Sequence, residues 1–107
     1  MEKYRLYTNG MVDIESILND WFSNEMHNHI ESFDKNGCKV TIFIADKYFL
    51  RINSTLTLTT IIERSPNNIT AVVITSGGAE GLFGYTYGSE HSAAKPILKL
   101  LKENGFH

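Results

Sequence analysis

From Cys38 to Ser76 the chain alternates apolar and polar residues with a period of two, and only short turn signals interrupt it. That period marks a strand with one face in a core and the other toward water. Strands must pair, so this stretch commits the chain to an antiparallel sheet, with any helices left to cover it. Cys38–Ala45 carries Val40, Ile42 and Ile44 on one side and Lys39, Thr41 and Phe43 on the other, and the aliphatic trio marks the expected inner face. Asp46 then lands on that face, which predicts a bend, bulge or turn before Tyr48, Leu50 and Ile52 resume the pattern. After Asn53-Ser54, the segment Thr55–Glu63 sets Leu56, Leu58 and Ile62 against Thr55, Thr57 and Thr59. A threonine row of this kind suits a solvent-facing sheet surface. Ser65-Pro66-Asn67-Asn68 is a turn, and Ile69–Ser76, the most apolar strand, is expected at the centre of the sheet.

The flanks supply the covering helices. Lys3–Tyr7 is a first strand, and Thr8-Asn9-Gly10 breaks it and offers capping oxygens. Ile14, Ile17, Leu18 and Trp21 then recur at helical spacing, with Phe22 and Met26 widening the stripe. Residues 27–33 read either as a continuation of this helix or as a strand. Asn36-Gly37 before a β-branched run is a hairpin signal, which favours a helix to about Met26 followed by a short strand. Leu82–Tyr87 is expected to be a last strand. A C-terminal helix begins near Ser89, meets Pro96 as a kink or a fresh start, and ends at Asn104-Gly105. Its buried side carries Ile97, Leu98, Leu100 and Leu101. The expected fold class is α+β. One domain, residues 1–107, holds a curved antiparallel sheet (β-α-β-β-β-β with an extra short strand) packed against a long C-terminal helix.

Composition excludes several classes. With 107 residues there is room for one core. Ten Lys and Arg against 12 Asp and Glu leave a formal charge of -2, so no nucleic-acid partner is expected. No apolar run reaches membrane-spanning length, and the first residues lack the apolar stretch of a signal peptide. Neither a membrane partner nor export is therefore expected. The single Cys38 cannot form an internal disulfide, which fits a cytoplasmic location.

The chemistry-bearing residues are few. Glycines 77, 78, 81, 84 and 88 precede an alternating strand rather than a helix, so they are not a dinucleotide fingerprint. Ser76, Gly77 and Gly78 have the makings of an anion-binding nest of backbone N–H groups. Phe83, Tyr85 and Tyr87 share one side of their strand. Either they pack in the core or they form a ligand or partner surface, and three rings left in water would invite a second copy of the chain. His27 and His29 form an H-x-H pair, which on a strand shares a face and can offer two metal ligands, with Glu31 two residues on. If the helix ran on, Glu25 and His29 would be i, i+4 neighbours fit for acid–base work. No nucleophile-elbow, zinc-protease, CxxC or EF-hand pattern is present, so no catalytic residue and no cofactor is assigned.

Ser76-Gly77-Gly78 closing a strand, an aromatic strand, then Gly88-Ser89-Glu90 opening the last helix resembles a small family of uncharacterised bacterial domains. The resemblance covers mainly residues 38–104 and implies a bacterial cytoplasmic protein. The element order is also similar to helix-grip and TATA-box-binding-protein-like folds, which host many kinds of binding. The resulting expectation is a non-enzymatic binding or interaction domain, either a homo-oligomer or a binder of a small apolar ligand between sheet and helix. The alternative is a small enzyme or metal-binding protein using His27, His29 or Glu25.

Overall fold

A computed structural model of the chain describes residues 1–49, 54–77 and 89–107. Their elements run β1 (Glu2–Thr8), α1 (Ile14–Ser23), β2 (His27–Lys35), β3 (Cys38–Phe49), β4 (Ser54–Arg64), β5 (Ile69–Gly77) and α2 (Ser89–Glu103). The five strands form one sheet in the order β1-β5-β4-β3-β2, every neighbouring pair antiparallel. Strands β2 to β5 follow one another as a meander, and β1 closes the far edge against β5. The chain is thus α+β, with two helices on an open sheet. The strand expected over residues 82–87 lies outside the described residues.

Local chemistry explains the boundaries. Asp13 caps α1, accepting from the Ser16 amide at 3.3 Å and the Ser16 hydroxyl at 2.7 Å. It takes the capping role assigned above to Thr8-Asn9-Gly10. The helix stops at Ser23, and Met26, expected on its buried stripe, is 89% exposed. Residues 27–35 are a strand of nine residues rather than a short one. It turns into β3 through Asn36 and Gly37, both at positive φ (52° and 80°), as a two-residue hairpin requires. The helix expected to be long has 15 residues, with Pro96 inside it rather than at a break between two helices. It ends in a Schellman motif: the Phe106 amide bonds the Leu101 carbonyl, the Gly105 amide bonds that of Lys102, and Gly105 sits at φ 92°.

The core lies between the helices and one sheet face. Leu18 and Phe22 of α1, and Ile97 and Leu101 of α2, share a buried cluster with Phe43, Leu58, Ile62, Ala71 and Val73. Helix α1 lies over β3 and β2, and α2 over β5, β4 and β1. Leu58, Val73 and Leu101 are wholly buried, while Trp21 is half-buried at the edge of the cluster with Lys47 5.0 Å above its ring.

One expectation is inverted. In β3 the covered residues are Thr41, Phe43 and Ala45, and Val40, Ile42 and Ile44 point away from both helices. Local alternation reports that a strand has two faces but not which one the helices meet. With the faces exchanged, Asp46 lies on the uncovered side, accepts from the Thr57 hydroxyl at 3.0 Å, and β3 continues without a bend. Strand β5 is interior but not central; β4 holds the middle position.

Candidate functional site

The register builds the uncovered face row by row. One row reads Arg5–Val72–Ile61–Ile42–Glu31 across β1, β5, β4, β3 and β2. A second reads Lys3–Ile74–Thr59–Ile44–His29, and a third Tyr7–Thr70–Glu63–Val40–Phe33. The aliphatic residues at the centre are only half-buried. At the two edges Tyr7 is 46% and Phe33 44% exposed. Branched aliphatic side chains in the middle of a sheet face that no described element covers form a contiguous apolar patch, which soluble proteins reserve for contacts. In the central row the two ends differ in charge, Arg5 on the β1 side and Glu31 on the β2 side; Lys3 flanks the first, and His27, His29 and Lys35 share the β2 margin with the second.

A second feature sits on the covered side, where α1 leaves the strand ends open. Arg64 at the end of β4 reaches α1 and grips Glu15 with two bonds, Nε to Oε2 at 2.8 Å and Nη2 to Oε1 at 2.6 Å. The same Nη2 donates to the Val12 carbonyl at 2.5 Å. These bonds hold the Glu15 carboxyl below its usual range against the opposing effect of burial, and they raise Arg64 further. Asp13, Ser16 and Lys39 join them around a cleft of about 470 Å³. A guanidinium committed to both a carboxylate and a carbonyl is a clamp between helix and sheet.

A family model matches residues 3–105, nearly the whole chain. The chain belongs to the family of unknown function DUF6054. No curated protein and no solved structure matches it. An uncharacterised family is what the sequence resemblance implied; the likeness to helix-grip and TATA-box-binding-protein-like folds gains no support from these comparisons.

In this DUF6054 member the expected site residues are scattered. His27 and His29 share the uncovered face of β2, with His29 Nε2 3.4 Å from Glu31 Oε1 and both of those side chains more than 60% exposed. Among the described residues no three His, Cys, Asp or Glu side chains gather closely enough to hold a metal. Glu25 does not meet His29, because the helix that would have paired them ends first; its carboxylate binds Lys47 at 3.0 Å instead. Cys38 opens β3, half-buried, with its sulfur 3.4 Å from the Ser65 hydroxyl. Ser76 lies on the uncovered face opposite Thr57, and Gly77 has φ 91°. Gly78, and with it the full nest, lies outside the described residues, as do Phe83, Tyr85 and Tyr87. Sequence patterning does not single out Arg5, Ile61 or Val72. Their alignment with Ile42 and Glu31 exists only through the register.

Proposed function

We propose that this DUF6054 chain is a non-enzymatic interaction domain that works through the uncovered face of its sheet. The observation that carries the reading is the patch centred on Ile42, Ile61 and Val72, which with Val40, Ile44 and Ile74 sets six branched aliphatic residues on one face. Among the described residues the side chains that acid–base or metal chemistry would need are paired off: Arg64 with Glu15, Glu25 with Lys47, His29 beside Glu31. A small apolar ligand between sheet and α2 is less favoured, because Ile97, Leu101, Leu58 and Val73 meet there with no residual exposure. The bacterial, cytoplasmic setting implied by the resemblance belongs to this proposal, and the similar element order of helix-grip folds contributes nothing to it.

The test places a photoreactive phenylalanine analogue at position 61 of the full chain, with position 99 on the outer side of α2 as the control. Irradiation in an extract of the source cells should yield one defined protein adduct from position 61, identified by mass spectrometry, and none from position 99. No adduct at 61, or the same adducts from both positions, overturns the reading.

A further inference from the structure

Resting on that interaction reading, we propose that the occupant of the uncovered face is a second copy of this chain, related by a two-fold axis parallel to β4 and passing over Ile61. The argument is the arrangement of the rows. A two-fold axis lying between two face-to-face sheets and along their middle strand reverses each row: β1 falls over β2 of the second copy, and β5 over β3. The row Arg5–Val72–Ile61–Ile42–Glu31 is complementary to its own reverse. Arg5 of one copy meets Glu31 of the other, twice by symmetry; Val72 meets Ile42; Ile61 meets itself. The neighbouring rows follow suit. Ile74 falls over Ile44, Thr59 over itself, and Tyr7 over Phe33, the two large half-exposed rings at opposite edges. Ser76 falls over Asp46, a hydroxyl over a carboxylate.

The other face-to-face two-fold, with its axis across the strands, lays Arg5 over Arg5 and Glu31 over Glu31. Like charges so placed cost affinity, so charge selects the first arrangement. Its unfavourable meetings are Glu63 with itself on the axis and Lys3 with His29 at the sheet edges, all exposed residues that water screens. Sheets packed this way keep their strands within about 30° of each other and about 10 Å apart. An arginine and a glutamate reaching toward one another span that gap. The face measures roughly 19 Å across its five strands and about 20 Å along them. With side-chain relief its accessible area is on the order of 600 Å², and twice that matches the lower end of specific interfaces, about 1,200 Å² in total. A closed two-fold uses the whole patch and leaves none to propagate.

The experiment is sedimentation of the intact chain and of charge-reversed variants, with circular dichroism to confirm folding. The wild type should sediment as a dimer at micromolar concentration. Arg5→Glu and Glu31→Arg should each weaken the dimer by roughly tenfold or more. An equimolar mixture of the two should recover it, because each mixed pair restores both Arg–Glu meetings. R5E/E31R, which keeps composition and net charge, should also recover it. Should a reversal impair folding, Arg5→Gln and Glu31→Gln should each weaken the dimer less, and their mixture should recover it only in part, because one of the two Arg–Glu meetings returns. A monomeric wild type overturns the proposal, as do charge variants that dimerise undiminished or a mixture no stronger than its components. Should the photoreactive residue at 61 capture a different protein while the wild type is monomeric, self-pairing fails and the interaction reading stands. Should it capture nothing, both fail.

Discussion

Gly37 shows how narrowly a single residue can be specified. At φ 80°, with nothing within 4 Å of where a Cβ would stand, the position has space but the wrong backbone region for an L side chain. Gly37→Ala should therefore lower stability by roughly 1–2 kcal/mol through backbone strain alone. Gly37→Asn should lose less, because asparagine tolerates the left-handed region; urea unfolding of the three proteins checks the order. Arg64 has a different kind of constraint. Removing it as Arg64→Met leaves Glu15 charged with only 15% of its side chain exposed, and should cost about 1–3 kcal/mol at neutral pH. The pair also predicts a pH dependence. The folded pKa of Glu15 lies below its unfolded value because Arg64 donates to the carboxylate. Its stabilising contribution is thus complete above the unfolded pKa, about 4.3, and is lost as pH falls through the lower folded value. The wild type should lose stability over that acid window, and Arg64→Met should lose correspondingly less. Parallel denaturation curves from neutral pH to about pH 3 test this.

Among the elements, the end of α2 carries more than a helix stop. The Schellman turn directs Phe106 into the core, 3% exposed. It also brings His107 alongside β1, where Tyr7 and His107 exchange two backbone hydrogen bonds of 3.0 Å and their rings lie 4.6 Å apart. The edge strand β1 is thereby partly paired on its outer side, which blunts an edge that would otherwise accept foreign strands. Phe106→Ala should cost about 3 kcal/mol. Hydrogen exchange should show the Tyr7 amide losing protection with it, which a core cavity remote from β1 would not produce. Asn104-Gly105 marks the turn in the sequence, but nothing local announces that the last two residues fold back onto the first strand.

At the scale of the molecule, the two faces of the sheet predict opposite responses to truncation. Leu58 lies in the cluster under the helices, fully buried, and Leu58→Ala should cost about 2–5 kcal/mol. Ile61, three residues on, faces away from both helices. Ile61→Ala should cost at most about 1 kcal/mol when measured at dilution, where association contributes nothing. Comparable losses at the two positions would show that the Ile61 face is covered within the monomer as well. No described helix is long and apolar enough to cross a membrane, so the apolar face is not continued by a membrane-spanning helix among the described residues.

The amino-acid sequence by itself determined β1, β4 and β5, the body of the first helix, the Asn36-Gly37 hairpin and the cap at Gly105, and left residues 27–33 open between helix and strand. Each depends on periodicity or backbone preference within a few residues. The α+β class follows from the same local signals. What only the tertiary structure decided is the side of each strand that meets the helices. In β3 the aliphatic Val40, Ile42 and Ile44 outcompete Thr41, Phe43 and Ala45 on hydrophobic pattern, yet Phe43 packs 5.4 Å from Phe22 and the aliphatic side faces away from both helices. Alternation is symmetric under exchange of the two faces, and that symmetry is broken only by where α1 and α2 settle, through contacts tens of residues apart in the chain. The charged and apolar rows that run across the strands have the same origin. Arg5, Ile61 and Glu31 are distant in sequence, and pairing across four strand boundaries alone sets them in one line.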